Sequence, residues 1–96
     1  MAPMDPDERE DAAFEARVIR SFIRDGHLTT IPARERRRQV IYRYLRDQVF
    51  TEDRGYPEKE VNQRIALFHP DVATIRRGMV DSGLVTREGG EYRRGA

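Results

Sequence analysis

The stretch HPDVATIRRGMVDSG, residues 69–83, carries the start and stop signals of a short helix. Pro70 suits the first helical position because its φ is fixed and it has no N–H to satisfy. Asp71 adds favourable negative charge to the first turn, and Gly83 can adopt the left-handed conformation that ends a helix. The apolar residues that recur at helical spacing, and so predict one buried face, are Val72, Ile75, Met79 and Val80.

The following segment, LVTREGGEYRR at residues 84–94, predicts two short strands joined by a tight turn at Gly89-Gly90. A helix that leads directly into a hairpin is typical of a winged helix-turn-helix, in which the hairpin is the wing. The sequence therefore predicts a mainly helical α+β fold, a winged helix-turn-helix with a small antiparallel sheet.

Three more helices are expected earlier in the chain. The first spans about residues 8–24, the second spans roughly residues 34–50, and the third begins at Pro57 and ends at His69. Glu58 and Glu60 supply favourable charge to the first turn of the third helix. The first helix has a wide apolar face, which would serve the core alone or the core and a partner chain, and which consists of Phe14, Val18, Ile19, Phe22 and Ile23.

The rest of the chain predicts less regular structure. Residues 1–7 contain Pro3 and Pro6 and are expected to form a disordered tail. Residues 27–31 alternate polar and apolar side chains, which predicts a short strand that pairs with the wing. We therefore expect one winged-helix-like domain over residues 8–96.

Composition restricts the classes of protein that fit. The 96 residues contain no cysteine, which excludes disulfides and thiolate chemistry, and no apolar run approaches the length of a membrane span. We expect a cytoplasmic protein.

The net charge is only +1, but residues 34–46 hold six arginines against Glu35, and residues 1–16 hold six acids against Arg9. The arginines at 34–38 indicate either a binding surface that the acidic tail covers or an ordinary solvated helix start.

Four separated blocks resemble a bacterial family of small proteins that is known only as domain of unknown function number 2087. The blocks are residues 26–33, 56–62, 75–81 and 92–93, and the resemblance covers about residues 15–94. Members of that family are similar small proteins or the C-terminal part of regulators with an ArsR-type domain. The resemblance implies a winged-helix-like architecture and an association with transcription, but it brings no activity, ligand or catalytic residue.

Nucleic-acid binding is the leading functional hypothesis. On a helical wheel, Thr74, Arg77 and Asp81 point away from the apolar face of residues 71–82. In a major groove of double-stranded DNA, Arg77 would read a guanine edge, and Thr74 would contact a base or a phosphate. The wing would contact phosphates through Arg87, Arg93 and Arg94.

A protein–protein interaction module is the alternative hypothesis. In that case the apolar face of the first helix would contact the partner or form a homodimer, and DNA would not be bound. The alternatives differ in salt dependence and in whether Arg77 contributes to binding.

Arg76 is expected to be structural, since the same wheel places it near the middle of the apolar face. A half-buried guanidinium needs a carboxylate partner, and Glu58 is the best candidate. Asn62, at the border of the third helix, is expected to bond a neighbouring loop or a phosphate.

Catalysis has little support in the sequence. His27 and His69 are the only histidines and neither belongs to a motif, and a His69–Asp71 pair supplies only two metal ligands. We expect no catalytic residue, no metal site and no cofactor.

Overall fold

The computed structural model describes residues 5–95, and helices make up most of this part of the chain. The helices are α1 (Pro6–Phe22), α2 (Glu35–Val49), α3 (Glu58–Ala66) and α4 (Val72–Asp81). The strands are β1 (Ile23–Arg24), β2 (His27–Leu28), β3 (Tyr56–Pro57), β4 (Val85–Glu88) and β5 (Glu91–Arg94). The predicted fold class, mainly helical α+β with a small antiparallel sheet, is confirmed.

Helix α1 begins earlier than the sequence predicted. The Asp5 side chain caps it by accepting a hydrogen bond of 3.0 Å from the Glu8 N–H, and Pro6 occupies the first turn. Pro6 and Asp7 therefore belong to the helix, and the prediction of a disordered tail over residues 1–7 is wrong for these two. Residues 1–4 lie outside the described residues.

The strand predicted at residues 27–31 is shorter than expected and has a different partner. His27–Leu28 pairs with Ile23–Arg24 in an isolated two-stranded hairpin, so the expected pairing with the wing is wrong. The turn residues Asp25 and Gly26 have φ values of 53° and 78°. Positive φ at both positions matches the right-handed twist of a two-residue hairpin, which makes this local pairing favourable.

The strand that joins the β4–β5 hairpin is β3, whose second residue, Pro57, had been predicted to begin a helix. Tyr56 lies opposite Tyr92 and Pro57 lies opposite Glu91, so the second sheet has the order β3-β5-β4. Pro57 is tolerated because β3 is an edge strand, where a missing N–H costs no ladder hydrogen bond. The hairpin of β4 and β5 is confirmed, with φ values of 58° and 81° at Gly89 and Gly90.

Helix α4 has the predicted stop signal and a different start. Asp71 is its N-cap and accepts a hydrogen bond of 3.3 Å from the Thr74 N–H, so Pro70 precedes the helix and does not open it. At the other end, Gly83 has a φ of 75°. The Gly83 N–H bonds to the Val80 carbonyl and the Leu84 N–H bonds to the Met79 carbonyl, both at 3.0 Å. These two bonds are those of a Schellman motif, which turns the chain directly into the hairpin.

The core is centred on α2, which lies between α1 and the α3–α4 pair. It contributes five buried residues, whereas α1 contributes only Val18. The rest of the apolar face predicted for the first helix is half-buried against this core. Ile23 of that face lies in β1, because α1 ends at Phe22 and not at Arg24 as predicted. The buried hydrophobic residues are Val18, Leu28, Val40, Ile41, Tyr42, Leu45, Val49, Phe50, Tyr56, Val61, Ile65, Ile75, Met79, Val85 and Tyr92. Within residues 5–95, no helix is both long and apolar enough to cross a membrane.

Candidate nucleic-acid interface

The outward stripe of α4 is the feature that the sequence placed at the centre of the site. Thr74, Arg77 and Asp81 are exposed, while Ile75 and Met79 are buried against the core. Arg77 makes no salt bridge with any residue between 5 and 95. Its guanidinium is therefore available to an external acceptor.

A groove separates α4 from the hairpin and is rich in arginine. Its lining consists of Arg76, Arg77, Val80, Asp81, Arg87 and Tyr92. The three guanidinium groups of this groove face the carboxylates of Asp81 and Glu58, so three positive charges meet two negative charges. Phosphate oxygens and the acceptor edges of bases are the nucleic-acid groups that arginine binds.

Glu58, the first residue of α3, connects the two walls of this groove. Its carboxylate Oε1 lies 3.7 Å from Arg76 Nε on α4 and 3.9 Å from Arg87 Nη2 on β4. The Tyr92 hydroxyl donates a hydrogen bond of 2.6 Å to the same oxygen. That hydrogen bond, followed by the charge of Arg76, holds the pKa of Glu58 below its usual value. One carboxylate thus fixes the wing relative to α4.

Arg76 lies where the sequence placed it, in a structural position. Its side chain is 23% exposed, within ion-pair distance of Glu58, and its Nη1 donates a hydrogen bond to Asn62 Oδ1. Asn62 therefore bonds α4 and not the neighbouring loop that the sequence analysis offered. Both contacts tie α3 to α4, and they leave Arg76 less able than Arg77 to reach a ligand.

The three wing arginines predicted to act together lie on different parts of the hairpin. Arg87 and Arg94 share the inner face with the buried Val85 and Tyr92, because strand residues alternate between faces. Arg93 lies on the outer face.

Only Arg87 borders the α4 groove. Arg94, at the other end of the inner face, lies 2.6 Å from Asp47 Oδ1 and donates a hydrogen bond of 3.3 Å to the Phe50 carbonyl. Arg93 lies 4.0 Å from Asp53 Oδ1. Arg94 therefore holds the wing against the end of α2. Of the three wing arginines, only Arg87 lines the same groove as Arg77.

A second groove, between α4 and α2, was not expected from the sequence. Gly78 allows the two helices to approach, since an added Cβ would lie 2.5 Å from Tyr42 Cε2 and overlap with the ring. Gln39 Nε2 donates a hydrogen bond of 2.8 Å to Ser82 Oγ across the same contact. Burial raises the pKa of Tyr42. The glycine in the sequence was the one signal of this close packing.

The arginine cluster of residues 34–38 divides into separate environments. Arg36 lies 3.7 Å from Asp11 and its guanidinium stacks 4.0 Å above the centre of the Phe14 ring. Arg38 donates hydrogen bonds to the carbonyls of Pro32 and Ala33 and lines the groove between α2 and α4. Asp11 thus lies against Arg36, but the acids of α1 do not cover the cluster as a whole.

His27 is the first residue of β2, and His69 lies in the connection between α3 and α4. His69 Nδ1 accepts a hydrogen bond of 3.0 Å from the Asp71 N–H, and His27 Nδ1 lies 2.9 Å from the Asp25 carbonyl. Within the described residues, no group of three or more His, Asp or Glu side chains is placed to hold a metal ion.

These features define a small helical α+β protein whose arginine-lined groove lies between its last helix and its C-terminal hairpin. The chain belongs to the family described as "Uncharacterized protein conserved in bacteria (DUF2087)", whose model matches residues 27–94. The match includes both grooves and begins after α1. No curated protein and no solved structure matches the chain.

Proposed function

We propose that this protein is a cytoplasmic winged-helix protein that binds double-stranded DNA in transcriptional control and has no catalytic activity. The connectivity supports the architecture: α2, β3, α3, α4, β4 and β5 follow one another, and the sheet order is β3-β5-β4. This arrangement has a helix pair, α3 and α4, followed by a wing that packs beside the second helix of the pair. The pairing of β3 with β5 strengthens the interpretation, because it anchors the wing to the start of α3.

The observation that carries the proposal is the exposed guanidinium of Arg77, which has no salt-bridge partner among residues 5–95 and lies beside Arg87 in the α4 groove. In the proposed complex α4 lies in the major groove, where Arg77 donates to the O6 and N7 acceptors of guanine. Thr74, one turn earlier, reaches a base or a phosphate. Arg87 contacts the backbone and supplies affinity without sequence information.

The test is fluorescence anisotropy of labelled mixed-sequence duplex DNA at low and moderate salt, with Arg77→Ala beside the unchanged protein. We expect saturable binding that weakens as salt rises, and a loss of about tenfold on substitution, roughly what one good base contact is worth. Arg34→Ala is the matched control, because Arg34 is also exposed and makes no salt bridge within the described residues, but lines neither groove of α4.

Two outcomes would count against the proposal. The first is no binding in low salt at tens of micromolar protein, about the range in which non-specific DNA binding is measurable. The second is an equal loss for Arg77→Ala and Arg34→Ala, since that would indicate attraction by net charge and not a defined interface.

A further inference from the structure

The groove between α2 and α4 has the volume of a small-molecule site and a polar lining. It encloses about 560 Å³, within the range of roughly 300–1,000 Å³ that is typical of ligand pockets. Apart from Gly78, every residue that lines it has a polar or charged side chain. A molecule in this groove would therefore be held by hydrogen bonds and charges.

Tyr42 presents a hydroxyl without a protein partner to this groove. The residue is 4% exposed, and its hydroxyl makes no hydrogen bond to any residue between 5 and 95. Every fully buried side-chain nitrogen or oxygen in this part of the chain has a hydrogen-bond partner, so the Tyr42 hydroxyl must reach the groove that the residue lines. The ring packs against the Gly78 backbone, which fixes the hydroxyl as a donor for a bound molecule.

The charged residues of the groove are balanced in sign. Arg38 and Glu35 belong to α2, Arg77 and Asp81 belong to α4, and none of the four makes a salt bridge within the described residues. A polyanion would meet as many carboxylates as guanidinium groups there. A zwitterion can place its anionic group on an arginine and its ammonium group on a carboxylate, so it satisfies both signs.

A guanidinium and a carboxylate both lie near the Tyr42 hydroxyl. Burial is the main cause of the raised pKa of Tyr42, but the charges of Arg38, Asp71 and Asp81 also act on it. Arg38 is held in place because its Nη1 donates to the carbonyls of Pro32 and Ala33, which leaves its other nitrogens for a ligand. A site whose groups are already positioned loses little entropy on binding.

We propose that this groove binds a small zwitterion of the class of a free α-amino acid with an uncharged polar side chain. The ligand carboxylate accepts hydrogen bonds from the Tyr42 hydroxyl and from Arg38, and the ligand ammonium group donates to Asp81. Thr74 and Gln39 are the polar groups of the groove that remain for the ligand side chain.

NMR spectroscopy of the ¹⁵N-labelled protein tests the site. Serine, threonine, asparagine and glutamine are added separately, each up to about 10 mM, and we expect at least one to bind with a dissociation constant below about 1 mM. The amide signals of Gly78 and Ser82 should shift most, because both residues line the groove.

Tyr42→Phe should raise the dissociation constant about tenfold, as expected when a hydrogen bond to a charged group is lost. This variant should keep its fold, since the hydroxyl has no partner within residues 5–95. Tyr44→Phe is the matched control, because Tyr44 is a half-buried tyrosine of the same helix that does not line the groove. It should leave the affinity unchanged.

The two charged groups of the ligand are tested separately. Analogues of the bound amino acid that lack either the ammonium or the carboxylate group should bind about tenfold more weakly, as expected for the loss of one charge-assisted hydrogen bond. Asp81→Asn should weaken the amino acid and leave the analogue without an ammonium group unaffected.

Three results would overturn the proposal. The first is that none of the four amino acids binds, and the second is an equal effect of Tyr42→Phe and Tyr44→Phe. The third is that the analogue without an ammonium group binds as tightly as the amino acid, which would indicate a simple anion site.

The groove shares Thr74 and Arg77 with the proposed DNA interface. If the protein binds DNA as proposed, the amino acid at ten times its dissociation constant should weaken DNA binding about tenfold, because the two would exclude each other. This consequence rests on the proposed function, and an unchanged DNA affinity would contradict the shared use of Arg77. The NMR titration contains no DNA, so failure of the ligand site and failure of DNA binding are distinguishable.

Discussion

Glu58 is the residue at which the helix pair and the wing meet. Its carboxylate accepts a hydrogen bond from the Tyr92 hydroxyl and lies within ion-pair distance of Arg76 and Arg87. Glu58 is also the first residue of α3. A negative charge there is also favoured by the N-terminal end of the helix dipole. Three elements of the proposed DNA interface therefore depend on the ionisation of one side chain.

The pKa shift of Glu58 gives a prediction about stability and pH. Because the folded-state pKa is lowered, the stabilisation is present above the unfolded value of about 4.3 and is lost as pH falls through the folded value. Glu58→Gln should therefore lower the urea midpoint at pH 7, and its difference from the unchanged protein should shrink below about pH 4. Urea unfolding followed by circular dichroism at both pH values measures this.

Glu88→Gln is the control for this experiment, because Glu88 is exposed on the outer face of the hairpin and makes no salt bridge within residues 5–95. It should leave the midpoint at pH 7 nearly unchanged. Equal midpoints for the two variants at pH 7 would mean that Glu58 does not hold the wing.

The sequence anticipated part of this cluster. Arg76 and Glu58 were paired from helical spacing and the cost of a half-buried charge, and the structure brings them within 3.7 Å. The contributions of Tyr92 and Asn62 were not anticipated. Tyr92 comes from a strand that is 34 residues away from Glu58, and no local pattern reports which elements pack against each other.

At the scale of elements, long segments with strong end signals were predictable. Helices α2 and α4 and the Gly89-Gly90 hairpin lie within one or two residues of their predicted positions. The two-residue strands were not predictable in the same way. A strand of two residues has no periodicity, and β3 is defined by its pairing with a strand about 35 residues later. The formation of β3 therefore depends on a tertiary contact and not on the local sequence.

The end of α4 gives a prediction for a single element. Gly83 has positive φ and no neighbour within 4 Å of where a Cβ would lie, so backbone strain is the only cost of a side chain there. Gly83→Ala should destabilise the protein by about 1–2 kcal/mol, the cost of left-handed backbone for an L-residue. Gly83→Asn should cost less, since Asn tolerates this conformation better. Urea unfolding at neutral pH measures both changes.

The ranking of the two variants is the informative result. If alanine and asparagine are equally harmless, the Schellman ending does not define the junction between α4 and β4. If both are equally severe, the side chain and not the backbone is responsible, which would contradict the open space around Gly83.

For the whole molecule, the distribution of ion pairs matters more than the net charge of +1. About half of the arginines are in contact with carboxylates, including Arg43 with Glu15 at 2.7 Å and Arg54 with Glu60 at 2.6 Å. The sequence identified an arginine-rich protein but, apart from Arg76 with Glu58, did not indicate which arginines are paired. The partner of each arginine depends on which elements lie side by side, so Arg87 lies near Glu58 beside α4, whereas Arg94 lies near Asp47 at the end of α2.

This separation predicts different effects for two arginines that the sequence treated alike. Arg87→Ala should weaken DNA binding and reduce the slope of log affinity against log salt by about one, as expected when one phosphate contact is lost. Arg94→Ala should leave that slope unchanged and lower the free energy of unfolding by up to about 1 kcal/mol, because its partners are Asp47 and the Phe50 carbonyl. Anisotropy titrations at several salt concentrations and urea unfolding measure the two quantities.

Each variant serves as the control for the other, since both remove one arginine from the same face of the same hairpin. Equal reductions in salt slope would mean that DNA contacts the wing along its whole length, and the grouping of Arg87 with Arg77 would then be wrong. A loss of stability with Arg87→Ala and not with Arg94→Ala would reverse the roles. The expected pattern places the nucleic acid on the α4 side of the wing, because on that side the exposed Arg87 lies beside Arg77, which has no salt-bridge partner in the described part of the chain.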